Sequence, residues 1–176
     1  MLFRSPIIDL YSEEGLAAMA RALPQLHQKP SDLQARSDAL YGAWLCGQAL
    51  GNAGMGIHHK LCHTLGGTFN LPHAETHTIV LPHALAYNMA AAPAAFERMS
   101  RALNAAPRGL SVPQAIYDLA HAHGAPVALR DLGLTQAQLD QGLELALQNQ
   151  YPNPRPLQRE PLRELLYHAW QGVRPQ

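Results

Sequence analysis

Residues 51–88 of this chain read GNAGMGIHHKLCHTLGGTFNLPHAETHTIVLPHALAYN, and this stretch indicates both the fold and the site. It contains six of the ten histidines of the 176-residue chain: His58, His59, His63, His73, His77 and His83. Histidine is the side chain of metal ligation and of proton transfer near neutral pH. The clustering therefore predicts half of an active site.

The first part of this stretch, residues 57–69, has a helical period, with Ile57, Leu61, Leu65 and Thr68 repeating on one face. His59 and His63 are four residues apart, so they lie one turn above each other on a second face. His58 should point about 100° away from His59, toward protein or solvent. Because glycine ends helices, we expect this helix to end near Gly66-Gly67, and a new one to begin around residues 74–75.

Two pairings of these imidazoles suit a divalent ion: His59 with His73, or His59 with His63. The remaining histidine would then handle protons. A lone pair of histidines is more often bonded to backbone carbonyls, but the third histidine and the flanking glycines favour a functional site. Cys62 is more typical of a small core residue than of a ligand. The position of His83 after Pro82 favours a structural role.

The residues Gly56-Ile57-His58-His59-Lys60-Leu61-Cys62-His63-Thr64-Leu65-Gly66, followed by Pro72-His73, resemble the signature of the iron-containing (group III) alcohol dehydrogenases. Most of that superfamily has a glycine after the Pro-His pair. Here Ala74-Glu75-Thr76-His77 follows, which is similar to the maleylacetate reductase branch. The resemblance implies an all-α fold, a bundle of about eight helices like the C-terminal domain of that superfamily.

The resemblance also implies roles for single residues. His59 and His73 match two of the four metal positions of the family, for iron or zinc, and the other two positions lie upstream of this chain. His63 would sit near the nicotinamide and relay a proton. One turn after His73, His77 is predicted to line the substrate pocket.

The implied reaction is NAD(P)H-dependent reduction of maleylacetate to 3-oxoadipate in aromatic compound degradation. Residues 1–176 are predicted to form one helical domain, without the N-terminal domain that binds the dinucleotide. We therefore expect the isolated chain to be inactive. Two alternatives stay open. One is a truncated, non-catalytic domain that self-associates as a homodimer or pairs with a separate dinucleotide-binding chain. The other is a metal-binding module built on His59, His63 and His73.

The amino-acid composition limits the classes of partner that we expect for this protein. The 13 basic and 13 acidic residues leave no formal net charge, which argues against a nucleic-acid or polybasic membrane partner and leaves a small-molecule substrate. No apolar run approaches the ~18 residues of a membrane span, and no signal peptide precedes the first helix. Two cysteines do not make a disulfide framework. We expect a cytoplasmic protein.

Helix signals recur along the rest of the chain. Ser12-Glu13-Glu14 is predicted to open a first helix that Pro24 and Pro30 limit. Ser31–Gln34 reads as a capping box for a second helix, one face of which carries Leu33, Leu40 and Trp44. Further capping sequences stand at 111–114 and 135–138. Three prolines in residues 151–156 predict an extended connector, and a last helix should start near 158–161.

Overall fold

The structure is a computed structural model that describes residues 5–148 and 151–176. These residues form no β-strand, so the predicted all-α class and the expected number of helices are confirmed. The α-helices are α1 (Pro6–Gln28), α2 (Leu33–Gly51), α3 (Ile57–Phe69), α4 (His73–Asn88), α5 (Pro93–Ala102), α6 (Val112–Ala122), α7 (Gln136–Gln148) and α8 (Arg159–Gln171). Short 3-10 helices cover Met89–Ala91, Ala106–Arg108 and Leu129–Leu132. None of the described helices is both long and apolar enough to cross a membrane.

The chain divides into two compact units. One contains the described residues up to Gly54 together with Ala94–Leu110, and the other contains Met55–Pro93 and Ser111–Gln176. The expectation of one domain over residues 1–176 therefore stays a prediction.

The first unit is an α1–α2 hairpin that closes on small residues. A Cβ atom on Gly42 would lie 3.0 Å from the carbonyl oxygen of Gly15 and 3.1 Å from the Cβ atom of Ala18. The two helix backbones therefore approach closely at this point. On the other side of α1, Glu13 accepts hydrogen bonds from Arg98 (2.9 Å) and Arg101 (3.0 Å) of α5.

The predicted start of α1 is wrong, and α2 begins within the predicted stretch but with a different capping residue. α1 begins at Pro6 instead of Ser12, because the fixed φ and missing N–H of proline suit the first helical position. The Ser12 hydroxyl donates to the carbonyl of Ile8 (2.8 Å) inside the helix. α2 is capped by Asp32, whose carboxylate accepts from the Ala35 N–H at 3.0 Å, and not by a Ser31–Gln34 box.

The second unit packs α3, α4, α7 and α8 around one apolar core. Its most buried side chains come from all four helices: Ile57, Leu61, Leu65, Ile79, Val80, Leu139, Leu143, Leu162, Leu166 and Ala169. Polar anchors fix the periphery: the Trp170 indole donates to the carbonyl of Leu134 (2.7 Å), and the Tyr87 hydroxyl donates to the carbonyl of Pro156 (2.8 Å). The apolar face predicted for the histidine helix is thus buried, except at Thr68, which is exposed.

Two boundaries around the histidine helix differ from the prediction. α3 continues through Gly66-Gly67 and ends at Phe69, with Asn70 in the left-handed conformation (φ 53°). Packing accounts for the extra turn, since a Cβ atom on Gly142 of α7 would lie 2.9 Å from Leu65 and 3.5 Å from Phe69. α4 begins at His73, one or two residues earlier than expected, and ends at Asn88.

Other local signals are confirmed. Ser111 and Gln114 form a reciprocal capping box at the start of α6. Gln138 and Thr135 bond each other in the same way at the start of α7. Residues 151–156 form no helix, and α8 follows from Arg159.

Candidate active site

α3 and α4 pack against each other in the second unit and bring five of the six clustered histidines together. α3 buries Ile57, Leu61, Cys62 and Leu65, so its histidines are left on the opposite side. The first turn of α3 is held from a distant loop, because the Asn153 side-chain oxygen accepts from the Ile57 N–H at 3.2 Å. The start of the histidine helix is therefore fixed by a residue 96 positions away.

His77 is the centre of the cluster. Its ring centroid lies 4.8 Å from that of His58, 5.1 Å from His59, 6.4 Å from His63 and 4.3 Å from His73. The rings of His59 and His63 are 6.3 Å apart, and those of His63 and His73 are 6.4 Å apart. One histidine of α4 thus touches or nearly touches the other four.

Exposure differs within the cluster. His63 and His73 are exposed, whereas His58, His59 and His77 are half-buried. The exposed pair is open to a substrate or cofactor from outside. The half-buried three are less accessible to it.

Burial and mutual repulsion keep the inner imidazoles neutral. Burial, with smaller effects of His77 and His59, lowers the pKa of His58 from 6.5 to about 4, although its hydrogen bond to the His77 carbonyl raises the pKa. Burial also lowers the pKa of His77 to about 4, helped by His73, His59 and His63. The pKa of His59 is lowered for the same reasons, with His63 and His73 as its neighbours. Neutral imidazole is the form that binds metal ions.

The hydrogen bonding of His58 and His77 differs. The His58 Nε2 atom lies 3.1 Å from the carbonyl oxygen of His77. The Nε2 atom of His77 is buried and has no hydrogen-bond partner among the described residues. An unsatisfied buried polar atom costs about 1–3 kcal/mol, and a metal ion at this cluster would bond the Nε2 lone pair of His77.

A metal ion fits this donor set. Within the described residues, one group of three or more His, Cys, Asp or Glu side chains has ligand atoms all within 4.8 Å of one another, and it consists of His58, His59 and His77. Imidazole suits zinc, iron, copper and nickel, whereas calcium and magnesium prefer oxygen ligands. The cluster is therefore suited to a divalent transition metal.

The structure brings together all four histidines that the sequence singled out, His59, His63, His73 and His77. Their separate roles stay predictions. Cys62 is buried, its thiol faces the carbonyl of Thr76 at 3.8 Å, and burial raises its pKa to about 12. That environment is typical of a core thiol. His83 is also buried, on the α4 face that carries the core.

His58 is the residue whose place sequence reasoning missed. The His58 ring points toward protein, as one of the two expected directions, and it contacts the ring and the backbone carbonyl of His77. The 100° offset between neighbouring helix residues predicts only that the His58 ring points away from the His59 ring. It does not show which residue the His58 ring contacts. The adjacent His58-His59 pair was the available signal, because two neighbouring histidines widen the arc that imidazoles cover on α3.

The family model described as Fe-containing alcohol dehydrogenase family, C-terminal, matches residues 3–170. A maleylacetate reductase of Burkholderia cepacia is 56% identical over 171 residues, which cover 97% of this chain and 47% of that protein. The chain thus spans about half the length of the curated relatives that it matches.

Solved structures show the same relationship. Maleylacetate reductase from Agrobacterium tumefaciens superposes with a TM-score of 0.92 at 46% identity, covering 98% of this chain and 48% of that one. An iron-containing alcohol dehydrogenase from Corynebacterium glutamicum superposes with a TM-score of 0.88 at 39% identity, covering 97% of this chain and 47% of that one.

Proposed function

We propose a function from one premise: the chain belongs to the Fe-containing alcohol dehydrogenase family, whose C-terminal region it matches over residues 3–170. We infer that it is the helical half of an oxidoreductase that reduces maleylacetate to 3-oxoadipate with NAD(P)H. The observation that carries this proposal is the cluster of five imidazoles on α3 and α4. Identity of 52–56% to several maleylacetate reductases supports the substrate.

The product retains an oxo group, so the reduction adds a hydride and a proton across the carbon–carbon double bond conjugated to the carbonyl. His59 and His73 would hold a metal ion, which would act as a Lewis acid toward the carbonyl oxygen, and the bound dinucleotide would supply the hydride. This chain supplies the proton and the orientation. His63 is exposed beside His59 and His73, where an imidazole can donate a proton to the reduced substrate.

His77 has a positioning role in this scheme. Its ring packs 4.3 Å from that of His73 and 5.1 Å from that of His59, so it limits how both rings can turn. We also propose that His77 lines the substrate pocket. We place the protein in the cytoplasm, where reduced nicotinamide cofactors are supplied.

The test combines this chain with the dinucleotide-binding half that it needs. We expect the chain, joined to the N-terminal half of the Burkholderia cepacia relative, to oxidise NADH in the presence of maleylacetate. His63→Gln should lower kcat by about 10²–10⁴-fold, the usual contribution of a general acid. His27→Gln, which removes an exposed imidazole of α1, is the control and should leave kcat unchanged.

Circular dichroism and NADH fluorescence would show separately that each fusion is folded and binds cofactor. A folded fusion that binds NADH but does not reduce maleylacetate would contradict the proposed substrate. Unchanged kcat in the His63→Gln variant would contradict the assigned proton donor.

One observation favours a second function, that of a non-catalytic partner chain. α2 exposes large apolar side chains on one face: Leu33 (81% exposed), Leu40 (73%) and Trp44 (56%). Exposed apolar surface of this kind marks a contact region. The occupant that we propose is a dinucleotide-binding half, because the relatives are about twice as long as the region matched here.

A further inference from the structure

We propose that the second unit binds a small carboxylic acid with an apolar body, in a cavity between the second half of α4 and α8. This α4–α8 cavity has a volume of about 480 Å³, within the roughly 300–1,000 Å³ of small-molecule sites. Tyr87 lines it ten residues beyond His77, which is about 15 Å along α4. The site is therefore separate from the imidazole cluster, and the inference does not rest on the proposed reaction.

Arg155 provides the cavity with a guanidinium that no carboxylate occupies. The residue is half-buried, and its guanidinium carbon lies 4.4 Å from the centroid of the Tyr87 ring. Its Nη1 atom donates to the carbonyl of Tyr87 at 3.4 Å, and no carboxylate among the described residues forms an ion pair with it. The planar fork of a guanidinium matches a carboxylate. Stacking on Tyr87 holds that fork in place, so less side-chain freedom is lost when a ligand binds.

The other charged side chains of the cavity limit the charge of the ligand. Arg174 lines the cavity, but two of its nitrogens bond the carboxylate of Asp118, at 2.7 Å and 2.8 Å. Glu164 is an exposed carboxylate of α8 that lines the same cavity. One unmatched guanidinium with a carboxylate nearby suits a ligand with a single negative charge and disfavours a dianion such as phosphate.

His83 adds a polar atom whose hydrogen-bonding capacity the protein does not use. The residue lines the cavity and is almost fully buried, and its Nε2 atom has no hydrogen-bond partner in the described part of the chain. In the neutral tautomer that carries the proton on Nε2, this atom is a donor. A carboxylate in the cavity would supply the acceptor that this buried group lacks.

The apolar part of the lining suits a hydrocarbon body. Leu165, Val173 and Pro175 line the same cavity as Arg155, and Val173 is exposed in the absence of a ligand. Burying hydrocarbon strengthens binding by up to about 4-fold for each methylene group. An acid with several methylene groups should therefore bind more tightly than acetate does.

The experiment is a titration of the purified chain with hexanoate, followed by nitrogen–proton correlation spectra. We expect saturable binding of one hexanoate, with shifts at the Arg155 Nε–H and at the backbone amide of Val173. Acetate lacks the apolar body, 1-hexanol lacks the charge, and inorganic phosphate is a different anion. Each of these three should bind at least about 10-fold more weakly than hexanoate.

Two variants of Arg155 test the assigned cation. Arg155→Gln should weaken hexanoate binding by about 10–100-fold, the usual effect of losing a hydrogen bond to a charged group. Arg155→Lys keeps the charge but loses the fork, so its affinity should lie between those of Arg155→Gln and the parent chain. Arg163→Gln is the matched control, because it removes an exposed arginine of α8 outside the cavity and should keep the parent's affinity. Circular dichroism checks the fold of each variant.

Three results would overturn the proposal. The first is a folded parent chain that does not bind hexanoate, a result that depends on no variant. The second is phosphate binding as tightly as hexanoate. The third is binding that survives in Arg155→Gln but is lost in His63→Gln, which would place hexanoate at the imidazole cluster. None of these results bears on the reduction of maleylacetate, which the fusion with a dinucleotide-binding half tests separately.

Discussion

His83 shows at the scale of one residue how burial makes stability depend on pH. Only 3% of the residue is exposed, and its Nε2 atom has no hydrogen-bond partner among the described residues. Burial, with a smaller effect of His168, lowers its pKa from 6.5 to about 4. Above pH 6.5 both the folded and the unfolded chain carry it neutral. Between pH 6.5 and 4 only the unfolded chain binds the proton, so the free energy of unfolding falls as the pH falls.

We predict that His83→Met removes this part of the pH dependence. A pKa difference of this size corresponds to a stability loss on the order of 3 kcal/mol once the pH is well below 4, and to about 2 kcal/mol at pH 5. Urea unfolding near pH 7 and pH 5 measures it: the loss between the two should be about 2 kcal/mol smaller in the variant than in the parent chain. His121→Gln removes an exposed imidazole and should keep the parent's loss. Equal losses in the parent and in His83→Met would contradict the burial argument.

The α1–α2 hairpin shows at the scale of an element how two glycines of one helix can have opposite roles. A Cβ atom on Gly42 would meet the Gly15 backbone oxygen and the Met19 side chain, both at 3.0 Å. A Cβ atom on Gly47 of the same helix would meet nothing within 4 Å. Alanine favours helix over glycine by about 1 kcal/mol at either position, so the difference between the two substitutions reports the close packing alone.

We predict that Gly42→Ala is less stable than Gly47→Ala by about 1–3 kcal/mol, the usual cost of overpacking. Gly47→Ala should itself be more stable than the parent, by about 0.5–1 kcal/mol. Urea unfolding followed by circular dichroism of the three chains measures both differences. Equal stability of the two variants would mean that α1 and α2 lie farther apart than the structure shows.

The exposed face of α2 raises the question of partners at the scale of the whole molecule. A face with Leu40 and Trp44 in water is costly, since burying each such side chain contributes about 1.5–3 kcal/mol. We predict that the purified chain co-elutes with a separately expressed N-terminal half of a maleylacetate reductase in gel filtration with light scattering. Leu40→Ser combined with Trp44→Ser should weaken that complex at least 10-fold.

Val173→Ser, which changes an exposed apolar residue after α8, is the matched control and should leave the complex intact. If the chain instead forms dimers by itself, and the double variant abolishes them, the face is a contact between copies and the proposed occupant is wrong. A complex that survives in the double variant would place the contact elsewhere.

Local signals in the sequence determined most of the helices and the identity of the cluster. Each of these signals involves residues that are close in sequence: the capping sequences at Ser111 and Thr135, the prolines of residues 151–156 and the helical period of α3. Helix ends were less predictable, since Pro6 opens α1 and the packing of Phe69 on α7 carries α3 past two glycines. At the start of α1 the local preference of Pro6 outweighed the Ser12 signal. At the end of α3 a tertiary contact outweighed the two glycines.

The tertiary structure alone decided which imidazoles meet. His58 and His77 are 19 residues apart on different helices, and no spacing rule relates them. Their contact follows from the way α3 and α4 pack, which the core residues of both helices fix together with those of α7 and α8. The exposure of the apolar α2 face is also decided by tertiary packing. A sequence shows that a helix face is apolar, but only the packed chain shows whether another surface covers it.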